Sequence, residues 1–192
     1  MASKTGVANS ALIKLGAKTV TSIDPSDGTK TANIAAEQYD KTRLRLLRRH
    51  PWNCAIERVK LARLSDVPAF EFDYYYQLPT DWLRCIAVSD NAQGLSEADY
   101  RIEGRKIASS ASDIYLRYVK DLEDVNEMDP TFREALACAL ALDMATALTA
   151  SSTLKEQIAS DFTTALLEGV SVDSIEDAVE EEPESEWITA RY

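Results

Sequence analysis

The stretch that most constrains the fold is an unbroken run of apolar residues, Ala135–Leu142. It follows Asp129 and Pro130, a pair suited to cap a helix and to occupy its first position. A helix that is apolar all round is buried on every side, so other elements have to surround it. The run is too short to cross a bilayer, which takes roughly 20 apolar residues. The sequence therefore predicts a helix at the centre of a protein core.

Two helices are predicted before Pro51. The first has helical apolar spacing over residues 7–15 and stops at Gly16, because glycine readily adopts the left-handed conformation found just past helix ends. The second can be capped by Asp27 or Thr29, and it must end before Pro51, which has no N–H to donate. Its predicted buried stripe consists of Ala32, Ala35, Ala36, Tyr39, Arg43, Leu46 and Leu47.

A β-rich segment separates these helices from the central one. After Pro51 the helical period gives way to aromatic and β-branched residues in strand-like patterns. Strands are predicted over residues 55–64, 74–79 and 82–88. Gly104 marks the turn of a hairpin within residues 100–120, where one more strand follows. The middle of the chain is therefore predicted to be an antiparallel β region.

A fourth helix is predicted after Ser151 and Ser152, since Thr153–Glu156 has the spacing of a capping box. Beyond it, the segment from Asp173 to Glu186 carries eight acidic residues and no basic one, and like charges at that density resist packing. The last residues include aromatic and arginine types that are enriched at protein interfaces. An extended interaction arm is predicted over residues 171–192, with contacts made by Trp187, Ile188, Arg191 and Tyr192.

Helices and strands that are segregated along the chain predict an α+β fold. The expected architecture is a four-helix bundle-like domain of residues 1–50 and 126–170. An antiparallel β domain, residues 51–125, is inserted between helices 2 and 3, and the acidic arm follows the last helix. The first residues lack the apolar core and cleavage site of a secretory signal, so a cytosolic origin is expected.

The charge of the chain limits its partners. The formal net charge of −11 disfavours nonspecific binding to nucleic acid, because phosphate contacts require basic side chains. One basic cluster stands against this background on the second predicted helix, and Arg45 and Arg48 are its candidate interface residues. A solvated or protein-facing surface is the favoured interpretation. The acidic arm of a neighbouring subunit is a partner whose charge would fit.

The only histidine lies four residues before a cysteine, in the sequence RRHPWNCA. A base and a thiol nucleophile need hydrogen-bond contact and a third group that orients the base. Pro51 breaks the chain between His50 and Cys54, and no family-specific cysteine motif surrounds them. Packing is therefore the favoured interpretation of this stretch, with Trp52 as its structural anchor.

Motifs for other chemistry are missing from the sequence. Cys54, Cys85 and Cys138 are odd in number and widely spaced, which disfavours disulfides and structural zinc. Carboxylates could supply a glycosidase pair, but most of them lie in the acidic arm or on amphipathic faces. The sequence predicts no catalytic residue, no cofactor, no metal site and no membrane association, and it predicts that the protein is not an enzyme.

The order of several segments resembles the tail tubular protein A family of tailed phages and prophages. The segments are ALIKLGA, HPWNCA, YYYQLPTDWLRCIAV, YRIEGRKI, IYLRYV and DPTFREALACALALDMATALT, and together they span Ala11 to about Glu168. The resemblance implies a structural protein of the virion tail or neck, assembled in the bacterial cytoplasm. Such a protein forms an adaptor ring, typically of twelve copies, between the portal protein and a tail nozzle of the tubular protein B type. DNA would pass through the ring without sequence-specific binding.

Three alternatives stay open beside this adaptor hypothesis. A head-completion or neck protein of another tail type is the nearest. A tail-associated polysaccharide hydrolase would need a carboxylate pair in a cleft. A DNA-binding module would use the arginine-rich helix, and its binding to DNA would be sensitive to salt.

The packing interpretation of RRHPWNCA predicts unequal effects of two substitutions. Trp52→Ala is expected to lower the free energy of unfolding by about 3 to 5 kcal/mol, because it leaves a cavity in a core. Cys54→Ser should change it by less than about 1 kcal/mol. Urea denaturation of both variants measures the difference, and similar losses in the two would contradict the interpretation.

Overall fold

Four α-helices and two small antiparallel sheets make up residues 2–94, 96–149 and 151–176, the part of the chain that the computed structural model describes. The predicted α+β class is confirmed. The helices are α1 (Lys4–Lys14), α2 (Lys30–Arg49), α3 (Pro130–Leu148) and α4 (Ser152–Glu176). The strands are β1 (Ile56–Lys60), β2 (Tyr74–Gln77), β3 (Trp82–Ser89), β4 (Arg101–Glu103), β5 (Lys106–Ser109) and β6 (Tyr115–Lys120). A 3₁₀ turn, Asn53–Ala55, precedes β1.

The helix starts follow local capping chemistry. The Thr29 hydroxyl accepts the Ala32 N–H at 3.2 Å, and the Asp129 carboxylate accepts the Thr131 N–H at 2.7 Å, as the sequence predicts for α2 and α3. The predicted capping box at Thr153 is wrong. The cap lies two residues earlier, at Ser151, whose hydroxyl accepts the Leu154 N–H at 3.2 Å, and α4 begins at Ser152. Thr153 therefore lies inside the first turn, too late to cap it.

The far end of α4 also differs from the prediction. The helix continues to Glu176, so the extended conformation predicted for residues 171–176 is wrong. The reason is the buried side chain of Asp173, which bonds to other parts of the chain and keeps this turn against the protein. The rest of the predicted arm, residues 177–192, lies outside the described residues.

Helix α3 lies in the core, as its apolar run predicts. Every residue from Ala135 to Ala141 is buried, and Leu142 is half-buried. The helix contacts α1, α2 and α4, which between them cover its sides. This helical core also includes Val119 of β6, and β3 packs Leu83 and Ile86 against it.

The six strands form two antiparallel sheets with the orders β1-β6-β3 and β2-β5-β4. A second core is made by Leu61, Tyr76, Leu78, Val88, Ile107, Ile114, Leu116 and Tyr118. The strand predicted over residues 55–64 is shorter in the sheet, because the chain leaves β6 after the Leu61 N–H donates to the Ile114 carbonyl. It then pairs with β2, where the Leu64 N–H donates to the Tyr75 carbonyl at 2.8 Å. One predicted strand thus serves both sheets.

A buried arginine joins α2 to the segment that follows β6. Arg43 is 2% exposed, at a position the sequence predicts to be buried. Its guanidinium pairs with the Asp121 carboxylate, donates to the Leu122 carbonyl at 2.8 Å and donates to Asp40 at 3.2 Å. These three acceptors offset the cost of removing the cation from water.

Breaking this buried pair should be more costly than removing both charges. Arg43→Met is expected to lower the free energy of unfolding by about 3 kcal/mol, because Asp121 keeps its charge and loses its partner. The double variant Arg43→Met/Asp121→Asn should recover part of that loss. Urea denaturation of the single and double variants tests this, and additive losses would argue against direct coupling.

Candidate functional site

Trp52 lies where α2 ends, and its ring is fully buried. Pro51 turns the chain out of the helix, and the Trp52 Nε1–H donates back to the Leu46 carbonyl at 3.2 Å. The ring meets His50 and Phe132 edge-on, with centroids 5.0 Å from each and interplanar angles of 81° and 74°. Edge-to-face contacts of this kind add to the energy of burial. The predicted anchor therefore joins the end of α2 to α3.

Helix α4 meets the same indole through Gly169. A Cβ atom at this position would lie 3.0 Å from Trp52 Cη2 and 3.1 Å from Cζ3. The absence of a side chain at Gly169 thus lets the helix backbone approach the ring closely. Three helices converge on one tryptophan.

Asp173 completes this corner from the last turns of α4. Its Oδ2 lies 2.9 Å from His50 Nε2, and its Oδ1 accepts the Asn53 N–H at 2.9 Å. The Asn53 side-chain amide donates to the Asp173 carbonyl at 2.8 Å. Sequence reasoning placed Asp173 in the solvated acidic run and missed this role. No local signal could have found it, because its partners lie 120 or more residues away.

Asp173 orients the His50 imidazole, as a third group would in a catalytic site, but no hydrogen bond joins His50 to the Cys54 thiol among the described residues. The imidazole of His50 faces Asp173 and packs against Trp52. Burial raises the pKa of the Cys54 thiol, which favours the protonated form over the nucleophilic thiolate. Burial likewise raises the pKa values of the Cys85 and Cys138 thiols. The geometry supports packing as the role of this stretch.

The candidate interface residues of α2 have partners within the chain. Arg45 donates to Asp143 Oδ2 at 2.6 Å, and the Thr42 hydroxyl donates to the same oxygen at 2.5 Å. Arg48 donates to the Leu83 carbonyl at 2.9 Å, and Arg84 donates back to the Arg48 carbonyl at 3.2 Å. Arg45 and Arg48 therefore tie α2 to α3 and to β3. The side chain of Arg45 is still 61% exposed, so it can also face a partner.

The other candidate interface residues are the four predicted contacts of the arm. Trp187, Ile188, Arg191 and Tyr192 lie outside the described residues. They remain predictions.

A cleft on the β1-β6-β3 sheet is a feature that sequence reasoning did not identify. It has a volume of about 680 Å³, and its lining includes Arg58, Lys60, Ser89, Tyr115 and Arg117. The residues from Asn91 to Gly94, together with Ser96 and Glu97, border it. A second, smaller hollow of about 330 Å³ lies between the start of α1 and the start of α3.

No described segment brings together three or more histidine, cysteine or acidic side chains in a way that could hold a metal ion. Among the described helices, none is both long enough and apolar enough to span a membrane. Comparison with protein-family models and with curated proteins finds no match for this chain.

The close approach at Gly169 reverses the usual effect of a helix substitution. Glycine to alanine inside a helix ordinarily stabilises it by about 1 kcal/mol. The Trp52 ring cannot retreat from an added methyl group, because it is held between His50 and Phe132, and overpacking of this kind costs about 1 to 3 kcal/mol. Gly169→Ala should therefore destabilise the protein in thermal or urea unfolding.

The matched control is Ser171→Ala, at an exposed position two residues further along α4. It should leave stability unchanged or raise it slightly, since alanine is the better helix former. A stabilised Gly169→Ala variant would show that the indole is not fixed where we place it.

Proposed function

We propose that this protein is a structural adaptor of a tailed phage, which forms a ring between the portal protein and the tail nozzle. The proposal rests on the resemblance of the segments from Ala11 to about Glu168 to the tail tubular protein A family, and on one structural observation. That observation is the interlock at Trp52, where α2, α3 and α4 meet beside the start of the β region. Close-packed interiors resist deformation, which suits a subunit that must hold two partners in register.

The finer architecture belongs to this proposal. The four helices form a bundle-like body from residues 1–50 and 126–170, with α4 continuing to Glu176. The strands form a β domain, residues 51–125, inserted between α2 and α3. In support, α3 contacts each of the other helices, and all six strands lie between α2 and α3 in the sequence.

Residues 177–192 form the interaction arm in this proposal, with Trp187, Ile188, Arg191 and Tyr192 as its contacts. Arg45 and Arg48 lie at a subunit or portal interface. The hydrogen bonds of Arg45 to Asp143 and of Arg48 to Leu83 hold the two guanidinium groups in fixed positions. Fixed side chains lose less entropy when a partner binds.

The charge of the chain supports a role beside DNA without tight binding to it. A net charge of −11 repels phosphate groups, so the genome could slide through a ring of such subunits. The ring is proposed to contain twelve copies and to belong to the virion tail or neck. The role is structural and involves no catalytic step.

The decisive experiment is to mix the purified protein with its cognate portal and to image the product by electron microscopy. We expect a ring of added density on the rim of the portal, formed by many weak contacts acting together. Portal particles that stay bare at saturating protein would overturn the adaptor proposal.

Two variants locate the contacts once a ring is seen. Deletion of Trp187–Tyr192 should leave a folded subunit that assembles poorly on the portal. Arg45→Glu/Arg48→Glu should also impair assembly, whereas Arg101→Glu, whose exposed side chain lies on β4, serves as the control. Normal assembly of the double reversal would remove Arg45 and Arg48 from the proposed interface.

A further inference from the structure

Two arginines lie directly opposite each other on the β1-β6-β3 sheet. Arg58 of β1 pairs in register with Arg117 of β6, and Ala87 of β3 is the next residue across. Residues paired in this way project from the same face with Cβ atoms about 5 Å apart, and like charges there destabilise the sheet. Among the registered strand pairs of the described residues, this is the one that places two cations together.

Within residues 2–94, 96–149 and 151–176, no carboxylate is paired with either of these two guanidinium groups. Neither Arg58 nor Arg117 takes part in an ion pair or a side-chain hydrogen bond with the described residues, and Arg117 Nε is buried without a partner. The neighbouring cation, Lys60, is already paired with Asp113 at 2.9 Å. The acid at the border of the cleft is the exposed Glu97. An excess of positive charge therefore lines an open cleft of an acidic protein.

The chain carries a segment whose charge pattern fits this cleft. Glu182, Glu184 and Glu186 alternate with Pro183 and Ser185 in the sequence. In an extended segment, alternate residues project to one side at intervals of about 6.6 Å. Proline favours extended backbone in the residue before it and cannot donate to a helix. The interval of about 6.6 Å is close to the separation of about 5 Å between the Cβ atoms of Arg58 and Arg117, so neighbouring carboxylates of one side could face both guanidinium groups.

The end of α4 lies close enough for the same chain to make this contact. Asp173 bonds to Asn53, which precedes Arg58 by five residues, a distance of at most about 18 Å along the chain. The three helical residues from Asp173 to Glu176 add about 4.5 Å, and the chain from Glu176 to Glu184 can span about 26 Å when extended, which covers the whole distance. We propose that the acidic segment of residues 180–186 docks in the Arg58–Arg117 cleft of its own chain. This inference does not depend on the adaptor function.

The test measures how fast a nonspecific protease cuts residues 177–192 in the full-length wild-type protein and in its variants. Intact-mass spectrometry follows the cleavage. A docked segment is protected from cleavage. Arg58→Glu should raise the cleavage rate about fivefold, because a partly exposed charge pair contributes about 1 kcal/mol and this energy corresponds to a fivefold change. Arg58 is exposed, so this variant should fold normally, which thermal unfolding checks. Arg101→Glu on the other sheet is the matched control and should stay at the wild-type rate.

Charge exchange makes the test specific. Glu182→Lys/Glu184→Lys/Glu186→Lys should be cut rapidly in the wild-type background and slowly again when combined with Arg58→Glu. Salt at about 0.5 M, where the Debye length is roughly 4 Å, should abolish the protection of the wild-type segment. Docking within one chain predicts a protection that is independent of protein concentration.

Three outcomes would overturn the proposal. The first is equal cleavage rates in the wild type and Arg58→Glu. The second is a failure of the combined variant to regain protection. The third is protection that appears only as the concentration rises, since that result would assign the cleft to the arm of a second copy.

Discussion

The described structure depends on the burial of one indole ring at the point where the chain stops being helical. Pro51 forces the exit from α2, and Trp52 fills the space that the exit creates. Phe132 of α3, Gly169 of α4 and the carbonyl of Leu46 each fix the ring from a different side. Since the Asn53–Ala55 turn and β1 follow at once, the position of this ring also sets where the β region begins.

Buried polar groups make this packing specific. Apolar faces alone would let α2 and α4 slide or rotate, because hydrophobic contact is not directional. Arg43 and Asp173 restrict them, since each would leave an unpaired buried charge in any other arrangement. Arg43 ties α2 to the segment after β6, and Asp173 ties the last turns of α4 to His50 and to the Asn53–Ala55 turn that precedes β1. Both contacts join residues far apart in the sequence.

The distribution of charge adds a second constraint. The chain is strongly acidic, yet Arg58 and Arg117 lie side by side on one sheet without a carboxylate partner among the described residues. An arrangement that costs stability and is not offset within the described fold points to a contact made elsewhere. The arginines of α2 differ in this respect. Arg45 and Arg48 are already bonded within the chain, so part of the basic cluster contributes to the fold itself.

Much of the local structure follows from short stretches of sequence. Thr29, Pro51 and Asp129 mark helix ends by their own chemistry, and the apolar run is buried from Ala135 to Ala141, as its composition predicts. Two of the predictions of local structure that were wrong failed for different reasons. Several residues before α4 have side chains that can cap a helix, among them Thr153 and Ser151. The helix starts at Ser152, so Ser151 is the residue that caps it. The strand predicted over residues 55–64 is divided because its second half finds partners in the other sheet.

The class of the fold, the order of its elements and the burial of Trp52 can all be predicted from the sequence. These depend on periodicity, capping and proline, which act within a few residues. The three-dimensional fold is needed to show that Asp173 is a buried partner of His50 and Asn53, and that Arg58 lies opposite Arg117. Those facts depend on which distant segments meet and in which register. A one-residue shift between β1 and β6 would have placed Arg58 and Arg117 on opposite faces of the sheet.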